Sequence, residues 1–475
     1  MDRPQPGARW QFSLHRLLGV IMDIIDHTTL HRGAKYFMDS GRAATLEEAM
    51  ALLRQFGLAI HVGWEVAHSE AHQVALLTLI NITRRTFLGG VAVIGVPDCA
   101  CTTLLGQQGS LKCAVSALGG TLSTDAPTHW PLALIGTVEP ANGSTVIWQL
   151  TWEGWRGGAI PHLLGGRLNE GNTMSLAPAL AAAFCAAEAF SYYAGDHPLA
   201  GRRVAGLSLW KPGSDWMTGD TMEPVLQFLP SRLWIIGLGN LGQAFAWLLA
   251  SLPYRDPSLL HVVLQDFDRL APSNDSTSVL SCKKDVGMMK TRMVSAWLEE
   301  RGFSTMLEER RFGAWTQRHE MEPGVALCGV DNALARASLD KAGFGLVVEA
   351  GLGGGPQAFR SLGIHTFPAS RTPADIWAKQ VAEAGVSNEH MPAYQTLKRD
   401  GMDECGLTQL ASRTVGVPFV GLVAAGLAIA ELLRRLHSGQ AFEFVTGSLS
   451  SPQDFEAGTL TARPYEYGFC EAAPA

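Results

Sequence analysis

Three glycines, Gly237, Gly239 and Gly242, stand directly after the apolar run Leu233–Ile236, at the start of a helical pattern that runs to about Leu252. Glycines at those spacings let the backbone turn tightly against a ligand, and the N–H groups of a helix start attract phosphate. By itself the pattern fits NAD, FAD or ATP. The next apolar run, Leu259–Leu264, ends in Asp266-Phe-Asp268, and an acid at that strand end would hold a ribose hydroxyl. Further on come Ser273-Asn274, then Asp285-Val-Gly287-Met-Met-Lys290, then Cys328-Gly-Val-Asp331-Asn332 with Arg336. A nicotinamide oxidoreductase would use the same glycines but has no task for those later groups.

In this order, GxGxxG, DxD, SN, DVGxxK and DN resemble the ThiF/MoeB/E1 superfamily, which adenylates the C-termini of ubiquitin-like and sulfur-carrier proteins. The resemblance covers roughly Arg232–Ser448. It implies ATP and Mg²⁺ as cofactors. Gly237, Gly239 and Gly242 would cradle the phosphates, Asp266 would bind the ribose with Asp268 in the same set, Asn274 and Lys290 would contact the phosphates, and Asp331 would hold Mg²⁺. Adenylation needs an electrophilic α-phosphate and a neutralised pyrophosphate, which a lysine and a metal supply. One family element is missing: the arginine that follows the serine–asparagine pair is Thr277 here. Relatives with paired domains also bring an arginine from the partner domain. Arg84 and Arg85 are candidates for that role, against a solvated surface pair. Asn332 and Arg336 stay open between a role in the site and simple packing.

A nucleophile is offered by Asp403-Glu404-Cys405-Gly406, ahead of Val415-Gly-Val-Pro418-Phe-Val-Gly421. The E1-like proteins of bacterial ubiquitin-like conjugation operons look similar there, which implies that Cys405 forms a thioester. A thiol attacking an acyl-adenylate keeps the acyl group activated for transfer. The flanking acids Asp403 and Glu404 disfavour the thiolate, so activation must come from elsewhere. Cys185 and Cys328 lie in apolar runs and read as small buried hydrophobes, with Cys282 the rival nucleophile.

Strand-like runs alternating with helical patterns predict βαβ units and mostly parallel sheets. Ala181–Phe190, with Glu188, aligns without a gap to Ala424–Leu433, with Glu431, and each precedes a glycine turn and a strand. This predicts two tandem Rossmann-like, adenylation-type α/β domains: a degenerate one over 1–225 and an active one over 226–475. In the first half the expected strands are Val91–Val96 and Leu132–Val138, and no glycine triplet follows Val96.

Composition bounds the rest. The 475 residues carry 37 Lys+Arg and 44 Asp+Glu, a balance that argues against nucleic acid as a partner. Eight scattered cysteines without a CxxC exclude a disulfide scaffold and a four-thiolate zinc site. The longest uncharged stretches, Gly171–Ala187 and Thr414–Ala430, fall short of a bilayer span, so no membrane and a cytoplasmic location are expected. The resemblance implies an E1-like enzyme with a ubiquitin-like protein and an E2-like protein as partners, in bacterial antiphage defence. A ThiF/MoeB-type sulfur-carrier adenylyltransferase is the alternative, and a homodimer is open.

Overall fold

Short, uninterrupted apolar runs form the centres of two sheets, as required where helices cover both faces. The computed structural model describes residues 28–106, 109–140, 144, 146–220, 222–382, 388–400, 402–461 and 463–474. The first sheet holds β1 (Gly57–Val62), β2 (Gly90–Ile94), β3 (Thr121–Ser123), β4 (Leu132–Ile135), β5 (Ile147–Glu153), β6 (Arg156–Pro161) and β7 (Ala205–Ser208), in the order β3-β2-β1-β4-β5-β6-β7. After the short β8 (Phe228–Pro230) come β9 (Arg232–Ile236), β10 (His261–Gln265), β11 (Ser304–Glu308), β12 (Val325–Cys328), β13 (Leu346–Leu352), β14 (Ser361–Phe367), β15 (Ala441–Ser448) and β16 (Ser451–Leu460). They order as β11-β10-β9-β12-β13-β14-β15-β16, while β17 (Phe469–Glu471) returns to pair with β8.

Strand for strand, the two orders are the same. In each sheet the first five strands of the order are parallel and the remainder antiparallel. β16 is the one addition. The duplication expected from the alanine-rich helices is therefore written into the topology.

The helices of the first half are α1 (Ala34–Asp39), α2 (Leu46–Arg54), α3 (Glu70–Thr83), α4 (Leu111–Ala117) and α5 (Leu176–Ala194). Those of the second are α6 (Asn240–Ser251), α7 (Lys290–Glu299), α8 (Ala333–Arg336), α9 (Pro373–Ala382), α10 (Pro392–Arg399), α11 (Glu404–Ser412) and α12 (Pro418–Leu436). α5 and α12, each 19 residues long, pack on one another, with α3 flanking α5 and α6 flanking α12. Their alanine and glycine content suits helices buried nearly all round. By length and composition α5 alone among the described helices could cross a membrane, and 89% of its apolar window is buried inside the protein.

Glu188 and Glu431 do the same work in each half. Glu188 accepts from the Gly201 N–H at 3.3 Å and from Arg203 at 2.6 Å. Glu431 accepts from the Phe442 N–H at 3.2 Å, from Arg434 at 2.5 Å and from Arg435 at 2.7 Å. Each anchored arginine then crosses to the other half, just past its last shared strand. Arg203 reaches the Leu449 carbonyl at 3.2 Å and that of Ser450, and Arg434 reaches the Leu209 carbonyl.

The structure corrects the reading of the first half. Its central strand is β1, not the run at Val91–Val96, which is the neighbouring β2. The loop equivalent to the glycine triplet therefore starts at Gly63, one strand earlier than expected.

Removing one partner of a buried ion pair strands the other charge, at a cost of about 3–5 kcal/mol. Glu431→Ala is expected to lower unfolding stability by about that amount, read by urea denaturation, because it leaves buried Arg434 uncompensated.

Candidate active site

The glycine loop bridges β9 and α6, and each glycine answers a different need. Gly237 lies at φ +83°, where an L side chain is strained, and an added Cβ would meet Val330 Cγ1 at 2.8 Å. At Gly242 an added Cβ would stand 1.9 Å from the Gly237 carbonyl oxygen, so the helix start can press on the loop only without a side chain. A Cβ at Gly239 would meet nothing within 4 Å, and no side chain caps α6 there. The N–H groups of the first turn of α6 thus face an open cradle.

Asp266 ties that loop to β10. Its Oδ2 accepts the Leu238 N–H at 2.7 Å and its Oδ1 the Asp268 N–H at 2.8 Å. Lys290, at the start of α7, places Nζ 2.7 Å from Asp268 Oδ2 and 3.8 Å from Asp266 Oδ2. Gly237, Gly239, Gly242, Asp266, Asp268 and Lys290 form one cluster. Asp331 follows β12 on the stretch that packs against Gly237, and it is exposed. Asn274 uses Oδ1 to accept the Ala271 N–H at 2.8 Å, closing its own turn.

Two open questions resolve toward packing. Asn332 caps α8, its Oδ1 taking the Ala335 N–H at 3.0 Å. Arg336 donates to the Val330 carbonyl at 2.7 Å, pairs with buried Glu349 at 3.1 Å and lies over the Trp377 ring.

Arg84 and Arg85 are not a solvated pair. Arg84 sits 3.1 Å from Asp275 Oδ1. Buried Arg85 donates to the carbonyls of Asp275 at 2.8 Å, Val279 at 2.8 Å and Ser281 at 3.0 Å. Together they pin the 275–281 segment. The cation beside Thr277 is a different one, Arg32. Its N–H donates to Ser276 Oγ at 3.1 Å, while its guanidinium grips Thr414 at the carbonyl (2.7 Å) and at Oγ1 (2.9 Å). An added Cβ on Gly416 would touch both Thr277 and Arg32. Burial, then the neighbouring Arg413, pulls the Arg32 pKa down to about 10, while Asp331 and Asp39 hold it up. No motif in the sequence marks Arg32; only the fold brings it to this crease.

The corresponding crease of the first half is filled. Ser69 caps α3, taking the His72 N–H at 3.3 Å, and Asn172 Oδ1 takes the Ala71 N–H at 3.1 Å. Glu65 accepts the Thr137 N–H at 2.9 Å, and its Oε2 stands 2.5 Å from where a Cβ on Gly63 or Gly136 would be. Arg167 bridges Glu65 (3.6 Å) and Glu170 (2.6 Å), and Glu170 reaches His72 at 3.1 Å. A chain segment with its own carboxylates occupies the place an anion would take.

Cys405 lies in the first turn of α11, whose N-cap Asp403 accepts the Gly406 N–H at 2.8 Å; the Cys405 side chain is outside the described residues. Cys185 and Cys328 are buried, and burial pushes the Cys328 thiol up to about 12. Cys282 stands 2.7 Å from Asp285 Oδ2, and burial and that carboxylate both raise its pKa. None of these three is set up as a thiolate.

The sequence matches the BilD N-terminal domain family over residues 57–209 and the BilD C-terminal domain family over 229–439. A curated protein named bacterial E1-like protein BilD, from Collimonas sp. (strain OK412), is 67% identical over 450 residues, which is 95% of this chain and 98% of that protein. The chain belongs to the BilD family of bacterial E1-like proteins. Similar solved structures include E. coli MccB with succinimide (TM-score 0.34, 15% identity, 49% of this chain and 65% of that chain). Another is E. coli TcdA, a tRNA N6-threonylcarbamoyladenosine dehydratase (TM-score 0.30, 13% identity, 44% of this chain and 86% of that chain). The chain thus spans a little under two thirds of MccB.

In this BilD family member the glycine loop predicts two distinct outcomes. Gly242→Ala drives a methyl into the Gly237 carbonyl and lowers the thermal midpoint markedly, whereas Gly239→Ala, facing open space, stays closer to the native midpoint. Equal midpoints, read by thermal unfolding, would contradict this geometry.

Proposed function

We propose that the chain adenylates the C-terminal carboxylate of a ubiquitin-like protein and takes the acyl group onto Cys405 for transfer to an E2-like cysteine. The observation that carries the reading is the contrast between two equivalent creases. One has an uncapped helix start, a lysine and a nearby arginine; in the other those places are filled from within.

The fit to ATP and Mg²⁺ follows from the donors present. The N–H groups at the start of α6 and the space over Gly239 suit phosphate. Lys290 and Arg32 would neutralise the departing pyrophosphate, with Arg32 standing in for the arginine missing at Thr277. Asp331 would hold Mg²⁺, which supplies further charge neutralisation when bound. Among the described residues no group of three or more His, Cys, Asp and Glu side chains is placed to hold a metal. Mg²⁺ carried in on phosphates needs only one or two carboxylates. Asp266, with both oxygens engaged by the loop, would keep the cradle in shape as well as accept a ribose hydroxyl.

In the first step the carrier's carboxylate oxygen bonds to the α-phosphorus and pyrophosphate leaves. In the second the Cys405 sulfur bonds to the acyl carbon, the acyl–phosphate C–O bond breaks, AMP leaves with that electron pair, and the thiol proton passes to solvent. A role in antiphage defence, carried out in the cytoplasm, is part of the same proposal, and the resemblance to bacterial conjugation-operon proteins supports the first.

The test mixes the protein with ATP, Mg²⁺ and small ubiquitin-like proteins encoded beside it. A reductant-sensitive adduct is expected, and it disappears in Cys405→Ala. Carrier-dependent ATP–pyrophosphate exchange is expected to fall about 100-fold in Lys290→Ala, in the range for removing one charge-stabilising donor. Arg32→Ala should lower exchange more than Arg84→Ala. A wild-type chain with no exchange and no adduct contradicts the proposal.

A further inference from the structure

The segment that carries Cys405 is attached to the first half by buried charge. Lys35 on α1 is wholly buried, with Nζ 2.9 Å from Asp39 Oδ1 and 3.3 Å from the Ala411 carbonyl at the end of α11. The same Nζ bonds the Tyr394 hydroxyl of α10, and that hydroxyl donates to Asp39 Oδ1 at 2.5 Å. Six residues past the end of α10, Cys405 rides on α11 between these two attachments, Tyr394 before it and Ala411 after it. Arg32, one turn before Lys35, then grips Thr414. Arg32, just before α1, and Lys35 and Asp39 on it lie within eight residues, so a single short stretch of the first half holds three points of the connector.

Buried polar attachments of this kind add little net stability, because desolvation offsets the attraction, but their directionality can select one arrangement. A lysine buried to 0% exposure is a costly device for mere adhesion. Apolar residues of the connector, such as Leu407 and Leu410, already supply adhesion.

We infer that Lys35, Asp39 and Tyr394 are positioning residues for the thioester step, fixing α10 and α11 in one docked position so that Cys405 is presented to the acyl-adenylate. This rests on the reading that Cys405 is the thioester nucleophile. The three side chains touch no substrate; they act through the connector's backbone and Tyr394. Arg32 links this latch to the nucleotide crease: its guanidinium holds Thr414, its stem meets Thr277 at Gly416, and it lies within the field of Asp331.

The experiment uses the full chain with its carrier and compares two rates. One is carrier-dependent ATP–pyrophosphate exchange; the other is single-turnover formation of the adduct on Cys405. Tyr394→Phe is expected to leave exchange within about twofold and to slow adduct formation about tenfold or more, with no recovery at higher carrier concentration. The triple change Lys35→Met, Asp39→Leu, Tyr394→Phe replaces the charges with packed apolar groups and is expected to fold with a midpoint no lower than wild type. Its adduct rate falls at least as far as that of Tyr394→Phe. Adduct formation at the wild-type rate in the stable triple variant overturns the inference, as does an equal fall in exchange and adduct formation. If the wild-type chain exchanges pyrophosphate but forms no adduct on Cys405, the nucleophile reading itself fails and the inference falls with it.

Discussion

The contact on which everything else depends is the packing of α5 against α12. It joins two copies of one sheet topology through their equivalent helices. Small residues let the helices approach, and the crossed arginines, Arg203 to the second half and Arg434 to the first, fix the alignment. Neither half could keep these helices if separated, since each would expose an almost wholly apolar surface to water. The fused arrangement brings the N-terminal turn of one half over the crease of the other. That is how Arg32 comes to stand beside Thr277, and how Arg84 and Arg85 come to grip the 275–281 segment from behind.

With the scaffold shared, the two creases have diverged in a small number of groups. In the second half glycine removes side chains where the helix start meets the loop, and Lys290 leans on Asp268 at the rim. In the first half Glu65, Glu170 and Asn172 take the corresponding donors. A polyanion entering there would meet carboxylates in a half-buried setting, where like charges repel strongly. The degenerate character proposed for the first half therefore has a positive physical cause and goes beyond a missing glycine motif.

Much of the second half was legible because buried parallel strands are unbroken apolar runs and the glycine loop is local. β9, α6, β10, α7 and β12 fall within a few residues of the runs that announce them. β1 is not legible in the sequence: Gly57–Val62 carries His61 and is followed by one glycine, so nothing marks it as the strand before a phosphate loop. β16 was invisible for a different reason. It is an edge strand containing Pro452, Asp454 and Glu456, with no continuous apolar face. Arg32 was illegible in principle, lying 244 positions from Ser276, which its backbone contacts. Asn332 and Arg336 stand at the right places in the motif yet are engaged locally, exposed Asn332 in a helix cap and buried Arg336 with Glu349.

Adenylation by this chain requires one open cradle and one sealed cradle. The most direct measurement is the stoichiometry of Mg²⁺·ATP binding to the full-length protein by isothermal titration calorimetry. One nucleotide per chain is the predicted result, with Glu65 and its partners keeping the first crease closed. Two nucleotides per chain, or none, would contradict it.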